Sequence, residues 1–156
     1  MAKREGLELE TDILSDCAPL NGLVASLLEE GSAIHVLRDP TRGGVATTLK
    51  EIALQSDVAI TLDEAAMPLK GAVRGICAVL GLDPLYVANE GKVLVFAAAE
   101  TAERVLARMK SHPYGREAAI IGEVTGDSGG KVRMETLVGG IRAVEMLSGE
   151  QLPRIC

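Results

Sequence analysis

Three short stretches of the sequence carry residue types that could do chemistry. The first contains Asp39, Thr41 and Arg42 and ends in Gly43 and Gly44, just before a predicted helix. Paired glycines let a ligand approach the backbone, and unpaired amides at a helix N-terminus favour anions such as phosphate. The residues alone leave a second interpretation open, in which this stretch is a turn and Asp39 or Thr41 caps the helix.

The second stretch is a turn signal in which Asn89 and Glu90 are followed by Gly91, ahead of an apolar run. A carboxylate on a turn at the start of a strand is well placed to act as a general base. The alternative is an ordinary left-handed turn formed by Asn89 and Gly91, with Glu90 exposed to water.

The third stretch is the end of the sequence, where Cys156 follows Pro153, Arg154 and Ile155. The last nine residues show no period, and we expect residues 148–156 to form a flexible tail. Such a tail reaches roughly 30 Å at about 3.3 Å per residue. An unperturbed thiol is only a few per cent ionised at neutral pH, so a reactive Cys156 would need a pocket. The alternative is a chance chain end.

Hydrophobic periodicity predicts the elements that must position these stretches. Apolar residues at helical spacing predict four helices, at 20–28, 45–53, 69–80 and 101–109. Strands are predicted at 34–37, 58–62, 92–99, 118–124 and 131–136, while 141–147 fits either a strand or a helix. Thr101 is expected to cap the fourth helix, and the continuous apolar run at 92–99 is expected to be a buried strand. The order of elements predicts an α+β fold, an α/β sandwich with a mixed sheet covered by helices.

Composition and charge exclude several classes of protein. The 156 residues are 47% hydrophobic, but the aromatic ones are limited to Tyr86, Phe96 and Tyr114, so the core must be aliphatic. A formal net charge of −6 without a basic block argues against nucleic-acid and polybasic membrane binders. Three widely spaced cysteines predict neither a disulfide framework nor a metal site, and Cys77 is expected in the core. The sequence contains neither a secretory signal nor a run of about 18 apolar residues, so we expect a cytoplasmic protein.

Taken together, four motifs resemble the HypE family of nickel-iron hydrogenase maturation factors, the carbamoyl dehydratases. The motifs are Arg-Asp-Pro-Thr-Arg-Gly-Gly at 38–44, Ala-Asn-Glu-Gly-Lys at 88–92, Ile-Gly-Glu-Val at 121–124 and Gln-Leu-Pro-Arg-Ile-Cys at 151–156. That family belongs to the superfamily of aminoimidazole ribonucleotide synthetase (PurM) and selenophosphate synthetase. The resemblance implies that residues 1–147 form a PurM-like C-terminal domain. It also implies that the N-terminal domain, which forms the homodimer and makes most of the contacts to ATP, lies outside this sequence.

The resemblance also implies a mechanism. Cys156 would receive a carbamoyl group from the partner HypF, and ATP with Mg would phosphorylate its oxygen. Loss of phosphate leaves a thiocyanate, whose cyanide passes to iron held by the HypC–HypD complex. Glu90 would be the base, while Pro153, Arg154 and Ile155 would guide the tail.

Further residues would steady a phosphate or line the channel of the tail: Asp39, Thr41, Arg42, Gly43, Gly44 and Asn89. This sequence by itself is expected to lack metal and ATP sites and to be inactive. One alternative is a carrier and docking module that presents Cys156 without turning over ATP. Another is the C-terminal domain of a different PurM-like ATP-dependent enzyme such as selenophosphate synthetase, although those relatives lack the cysteine tail.

Overall fold

The structure is a computed structural model that describes residues 15–126 and 129–148. Within these ranges four helices form: α1 (Asn21–Leu28), α2 (Gly44–Ser56), α3 (Gly71–Leu80) and α4 (Ala102–Ser111). Six strands accompany them: β1 (Ile34–Arg38), β2 (Ala59–Asp63), β3 (Leu94–Ala97), β4 (Gly122–Thr125), β5 (Val132–Glu135) and β6 (Ile141–Ala143). The predicted tail guides Pro153, Arg154 and Ile155, and the predicted acceptor Cys156, lie outside the described residues.

The larger sheet has four strands in the order β4-β2-β5-β6. Strand β2 runs parallel to β5 and antiparallel to β4, so the sheet is mixed, which confirms the predicted α+β fold. Alternation along β2 turns Ile60 and Leu62 towards α2, whose buried stripe includes Val45 and Leu49. This contact forms the main aliphatic core and holds α2, with the loop that precedes it, firmly against the sheet.

The smaller sheet pairs β1 with β3 in the antiparallel sense. Its apolar side chains pack with a second core cluster formed by Leu23 and Leu27 of α1 and Val105 of α4. Salt bridges join α1 to α4 in this layer, because Glu30, just after α1, accepts hydrogen bonds from Arg104 and Arg108 of α4. The Glu30 side chain is only 6% exposed, so both guanidinium groups neutralise an almost buried carboxylate.

Several predicted elements change in the structure. The strand predicted at 92–99 is shorter, and the residues of β3 are partly buried rather than buried, because a two-stranded sheet covers less of each strand. Thr101 is the N-cap residue of α4, as predicted, but its side chain makes no capping hydrogen bond, since its hydroxyl donates instead to the Ala98 carbonyl at 2.9 Å. Strand β4 begins only at Gly122, and the ambiguous segment at 141–147 forms the short strand β6.

Candidate functional site

The first two sequence motifs meet directly in the folded chain. The Asn89 backbone amide donates to the Pro40 carbonyl at 3.1 Å, and the Asn89 side-chain amide donates to the Val87 carbonyl at 2.8 Å. The first bond joins the turn that carries Glu90 to the loop that carries Asp39. The second closes the turn on itself. The loop at 38–44 and the turn at 88–92 therefore form one rigid edge of the molecule.

Gly43 and Gly44 allow this close approach. Both adopt left-handed backbone angles, with φ of +67° and +61°. A Cβ on the buried Gly44 would lie 2.4 Å from the Leu85 carbonyl oxygen and 2.6 Å from that of Val87. Gly44 therefore serves the packing of α2 against the segment that leads into the turn.

The alternative in which Asp39 or Thr41 caps α2 is wrong. The N-cap position is Gly43, which has no side chain to cap the helix. The Thr41 hydroxyl donates instead to Asp39 Oδ2 at 3.3 Å, while Arg42 is exposed on the same loop. Two polar side chains of the loop are thus held together beside the helix N-terminus.

An open groove of about 300 Å³ runs beside this edge. Its floor is apolar and its rim is charged. The floor is formed by Ala18, Leu20, Val24, Leu37 and Val93, and the rim by Arg38, Asp39, Glu90 and Lys92. Sequence reasoning missed Arg38 and Lys92 as site residues, although they stand at the ends of two of the quoted motifs.

The charges around the groove are not equivalent. Arg38 donates to Glu51 at 3.0 Å, and Lys92 donates to Asp16 at 3.2 Å. Among the described residues, none forms an ion pair or hydrogen bond with the carboxylate of Glu90, whose side chain is exposed at the groove. Glu90 is therefore available to take a proton from a group that enters the groove.

Asp16 is a further residue of this site that sequence reasoning missed. Its Oδ2 accepts the Glu90 backbone amide at 3.1 Å as well as the Lys92 ammonium. Burial disfavours its charged form, but the hydrogen bonds from Lys92 and Glu90 and the charge of Lys92 outweigh burial and lower the pKa of Asp16. Asp16 lies 74 residues before Glu90, and no spacing rule links the two.

The last described segment lies close to the same loop. Glu145 is held twice, by Lys50 at 2.9 Å through its carboxylate and by the Tyr86 hydroxyl at 3.0 Å through its carbonyl. Two residues later, the Leu147 amide donates to Thr47 Oγ1 at 3.4 Å. A Cβ on Gly43 would lie 2.1 Å from that same oxygen, so the chain comes to Leu147 beside the loop that carries Asp39.

Other candidate sites are limited. Cys77 is buried on α3, as predicted, with a raised pKa caused by burial and by the nearby charge of Asp83. Cys17 is exposed. Over residues 15–126 and 129–148, no three metal-ligating side chains come together to hold a metal ion. None of the helices that the structure describes is long and apolar enough to cross a membrane.

The sequence is similar to carbamoyl dehydratases called HypE. It is 56% identical over 156 residues to the HypE of Cupriavidus necator, covering all of this chain and 44% of that protein. It is 46% identical over 153 residues to the HypE of Escherichia coli, covering 98% of this chain and 45% of that protein. The chain therefore spans about half the length of the curated relatives it matches.

Solved structures show the same likeness. A hydrogenase maturation protein HypE superposes with a TM-score of 0.92 at 50% identity, over 99% of this chain and 50% of that one. A HypE in complex with ATP gives 0.90 at 50% identity, over 99% of this chain and 48% of that one. A HypE–HypF complex gives 0.87 at 47% identity, over 94% of this chain and 47% of that one. Residues 1–135 match the profile of the AIR synthase related protein, C-terminal domain. The chain belongs to the family of AIR synthase related proteins, as their C-terminal domain.

Proposed function

We propose that this chain is the C-terminal domain of a HypE-type carbamoyl dehydratase, which turns a carbamoyl group on Cys156 into a thiocyanate. The observation that carries the proposal is the groove in which Glu90, next to the loop of Asp39, presents a carboxylate that pairs with none of the described residues. The likeness to HypE proteins over the whole chain supports it. The anchored course of the chain to Leu147 supports it further, because it brings the last described segment beside that loop.

In the first step, HypF presents an activated carbamoyl group, the Cys156 sulfur attacks its carbon, the bond from that carbon to the donor's leaving group breaks, and the thiol proton passes to solvent. The carbamoyl oxygen then attacks the terminal phosphorus of ATP, ADP leaves, and the nitrogen loses one proton. This produces an imidate that carries phosphate on its oxygen. ATP thus supplies a leaving group, because phosphate departs from carbon far more easily than hydroxide does.

In the second step, Glu90 removes the remaining proton from nitrogen. The freed electron pair completes the carbon–nitrogen triple bond while the carbon–oxygen bond breaks and phosphate leaves. Carbamoyl-Cys156 and ATP have then become thiocyanato-Cys156, ADP and phosphate. The apolar floor of the groove can pack against one side of this carbon, and an unpaired carboxylate is a stronger base than one held by a cation.

The loop before α2 positions the reacting group. Asp39, which accepts the Thr41 hydroxyl, can also accept an N–H of the carbamoyl amide, while Thr41 lines the channel of the tail. Arg42 offers a bidentate donor to phosphate, and Asn89 keeps the loop against the Glu90 turn. Pro153, Arg154 and Ile155 would guide the tail past these residues.

Among the described residues that line the groove, none offers an unpaired cation to the phosphates of ATP. Arg38 and Lys92, the basic residues of its rim, each already pair with a carboxylate. The described residues also form no acidic cluster for Mg, so we assign no step here to the metal. The proposal therefore places ATP and Mg mainly on an N-terminal domain, which would also form a homodimer.

The partners follow from the same chemistry. HypF would deliver the carbamoyl group, and iron held by the HypC–HypD complex would take the cyanide. A thiol that must remain reduced between these steps suits the cytoplasm. The tail, residues 148–156, would carry Cys156 between the partners and the groove.

A chimera tests the proposal. The segment of the Cupriavidus necator HypE that matches this chain is replaced by this chain, and the chimera is incubated with HypF, carbamoyl phosphate and ATP. Mass spectrometry should show a carbamoyl adduct on the Cys156 peptide that then loses the mass of water. The matched control, Cys156→Ala, should show neither change.

Two outcomes would contradict the proposal. A chimera that is carbamoylated but never dehydrates, while the parent enzyme does both, would favour a carrier module without ATP turnover. A Cys156→Ala chimera that still yields cyanide would exclude Cys156 as the acceptor.

A further inference from the structure

We propose that Asp16 is a positioning residue for the dehydration: its carboxylate fixes the turn that carries Glu90 and keeps Lys92 away from the Glu90 carboxylate. The inference rests on the proposed function, because it takes Glu90 as the base. It concerns a residue outside the motifs that suggested that function.

The first support is the contact of Asp16 with the turn. Its Oδ2 accepts the backbone amide of Glu90 at 3.1 Å, so it holds the residue whose side chain must point into the groove. Asp16 and Glu90 are 74 residues apart in the sequence. The amide of Asn89, the residue before Glu90, donates to the Pro40 carbonyl. Two consecutive amides of the turn are thus fixed by two different segments.

The second support is steric. A Cβ on Gly91 would lie 1.6 Å from the Asp16 carbonyl oxygen and 2.9 Å from the Ala18 amide nitrogen. The segment that carries Asp16 therefore crosses directly over the turn, with the backbones in contact. A backbone packed this closely gives the Asp16 carboxylate a defined position.

The third support is electrostatic. Lys92 stands two residues after Glu90 on the same rim, and its ammonium lies 3.2 Å from the same Asp16 oxygen. Without Asp16, Lys92 would be free to pair with Glu90, which would make Glu90 a weaker base. Asp16 thus pairs with the Lys92 ammonium, and the Glu90 carboxylate is left without a partner among the described residues.

The test separates the two contacts with matched variants of the chimera. Asp16→Ala removes both contacts, whereas Asp16→Asn keeps an oxygen for the Glu90 amide but removes the negative charge that holds Lys92. The single-turnover rate of dehydration is measured on chimeras that already carry the carbamoyl group. Asp16→Ala should lower this rate between about tenfold and a hundredfold, because small displacements of a base are that costly.

Rescue distinguishes positioning from a simple fold defect. Asp16→Asn combined with Lys92→Met should dehydrate within about threefold of Lys92→Met alone, because the amide contact remains and the competing cation is gone. Asp16→Ala combined with Lys92→Met should stay slow. Carbamoylation of Cys156 should proceed normally in every variant.

A second readout does not depend on the proposed function. In the 156-residue chain, hydrogen exchange at the Glu90 amide should speed up in Asp16→Ala and stay slow in Asp16→Asn. Unchanged exchange or an unchanged dehydration rate in Asp16→Ala would overturn the inference, as would an equal loss of carbamoylation and dehydration. A slow Asp16→Asn, Lys92→Met chimera would overturn the role of Lys92. An unmutated chimera that forms no thiocyanate would instead mark the failure of the proposed function.

Discussion

The Asn89 amide donates to the carbonyl of Pro40 at 3.1 Å, and this bond joins two stretches that are 49 residues apart in the sequence. Backbone groups make it, so it survives changes of side chain at both positions. It brings the loop of Asp39 and the turn of Glu90 to one groove. A ligand held by one stretch is therefore within reach of the other.

Glu90→Gln should separate the two chemical steps in the chimera. The amide is nearly the same size as the carboxylate but cannot accept the proton, so carbamoylation of Cys156 should continue while thiocyanate formation falls by about a hundredfold or more. Mass spectrometry of the C-terminal peptide follows both species. Glu123→Gln is the matched control, because Glu123 is exposed on β4, away from the groove lining. Normal thiocyanate formation in Glu90→Gln would show that another group is the base.

Gly44→Ala should destabilise the 156-residue chain strongly. The added methyl would meet the carbonyl oxygens of Leu85 and Val87, and the left-handed backbone would be strained as well. A loss of about 2 to 4 kcal/mol in the free energy of unfolding is expected from urea denaturation. Gly75→Ala is the control, since its Cβ meets nothing within 4 Å inside α3, and it should stabilise by about 0.5 to 1 kcal/mol. Equal effects of the two substitutions would contradict the packing described for Gly44.

Arg108→Met should lower stability in a way that depends on pH. The hydrogen bond from Arg104 lowers the pKa of Glu30, burial opposes this, and Arg108 lowers it further, so the folded value lies below the usual 4.5. The stabilisation is therefore complete above about pH 4.5 and is lost as the pH falls through the folded pKa. Urea denaturation should show a large difference from the unsubstituted chain at pH 7 that shrinks in acid. Arg116→Met, at an exposed position, is the control, and a difference that stays constant with pH would contradict the assignment.

Periodicity predicted the elements that depend on a local pattern. The alternation at 131–136 gave β5 with Val132 and Met134 buried, and the apolar stripe at 45–53 gave α2. The burial of strand β3 was harder to predict, because burial depends on how many strands flank a strand. No local pattern in the sequence indicates that the strands divide into two sheets. The side-chain hydrogen bond of Thr101 could not be predicted either, since its hydroxyl has the Ala98 carbonyl as a competing partner.

The candidate site was predictable only in part. The family resemblance of the motifs at 38–44 and 88–92 predicted a shared function for Asp39, Asn89 and Glu90, and the structure brings these residues together beside the groove. Asp16 could not be found in this way, because its role depends on a chain crossing that only the fold creates. Lys92 could have been weighed from the sequence, since it closes the motif that contains Glu90.

Releasing the Glu145 anchor should slow dehydration slightly. Tyr86→Phe with Lys50→Met removes both contacts of Glu145, and adding Thr47→Val removes the Leu147 contact, so the tether proposed for Cys156 would lengthen from eight residues towards twelve. The effective concentration of the thiol at the groove falls roughly as the −3/2 power of length, which predicts about a twofold drop in the single-turnover rate. Tyr114→Phe, at an exposed tyrosine, is the control. An unchanged rate, or a drop beyond about tenfold, would contradict a purely tethering role.

The fixed position of Glu145 has a further consequence for how one thiol can reach HypF, the groove and the HypC–HypD complex in turn. A flexible tether of eight residues would have a root-mean-square end-to-end distance of about 16 Å, and it would extend to about 26 Å. In the proposed cycle, Cys156 would therefore return to the groove by its own thermal motion, at millimolar local concentration, without a hinge or a moving domain. The fully stretched tether would present it to partners beyond the edge of the fold. The docking of Glu145 and Leu147 thus sets how far the proposed carrier can reach.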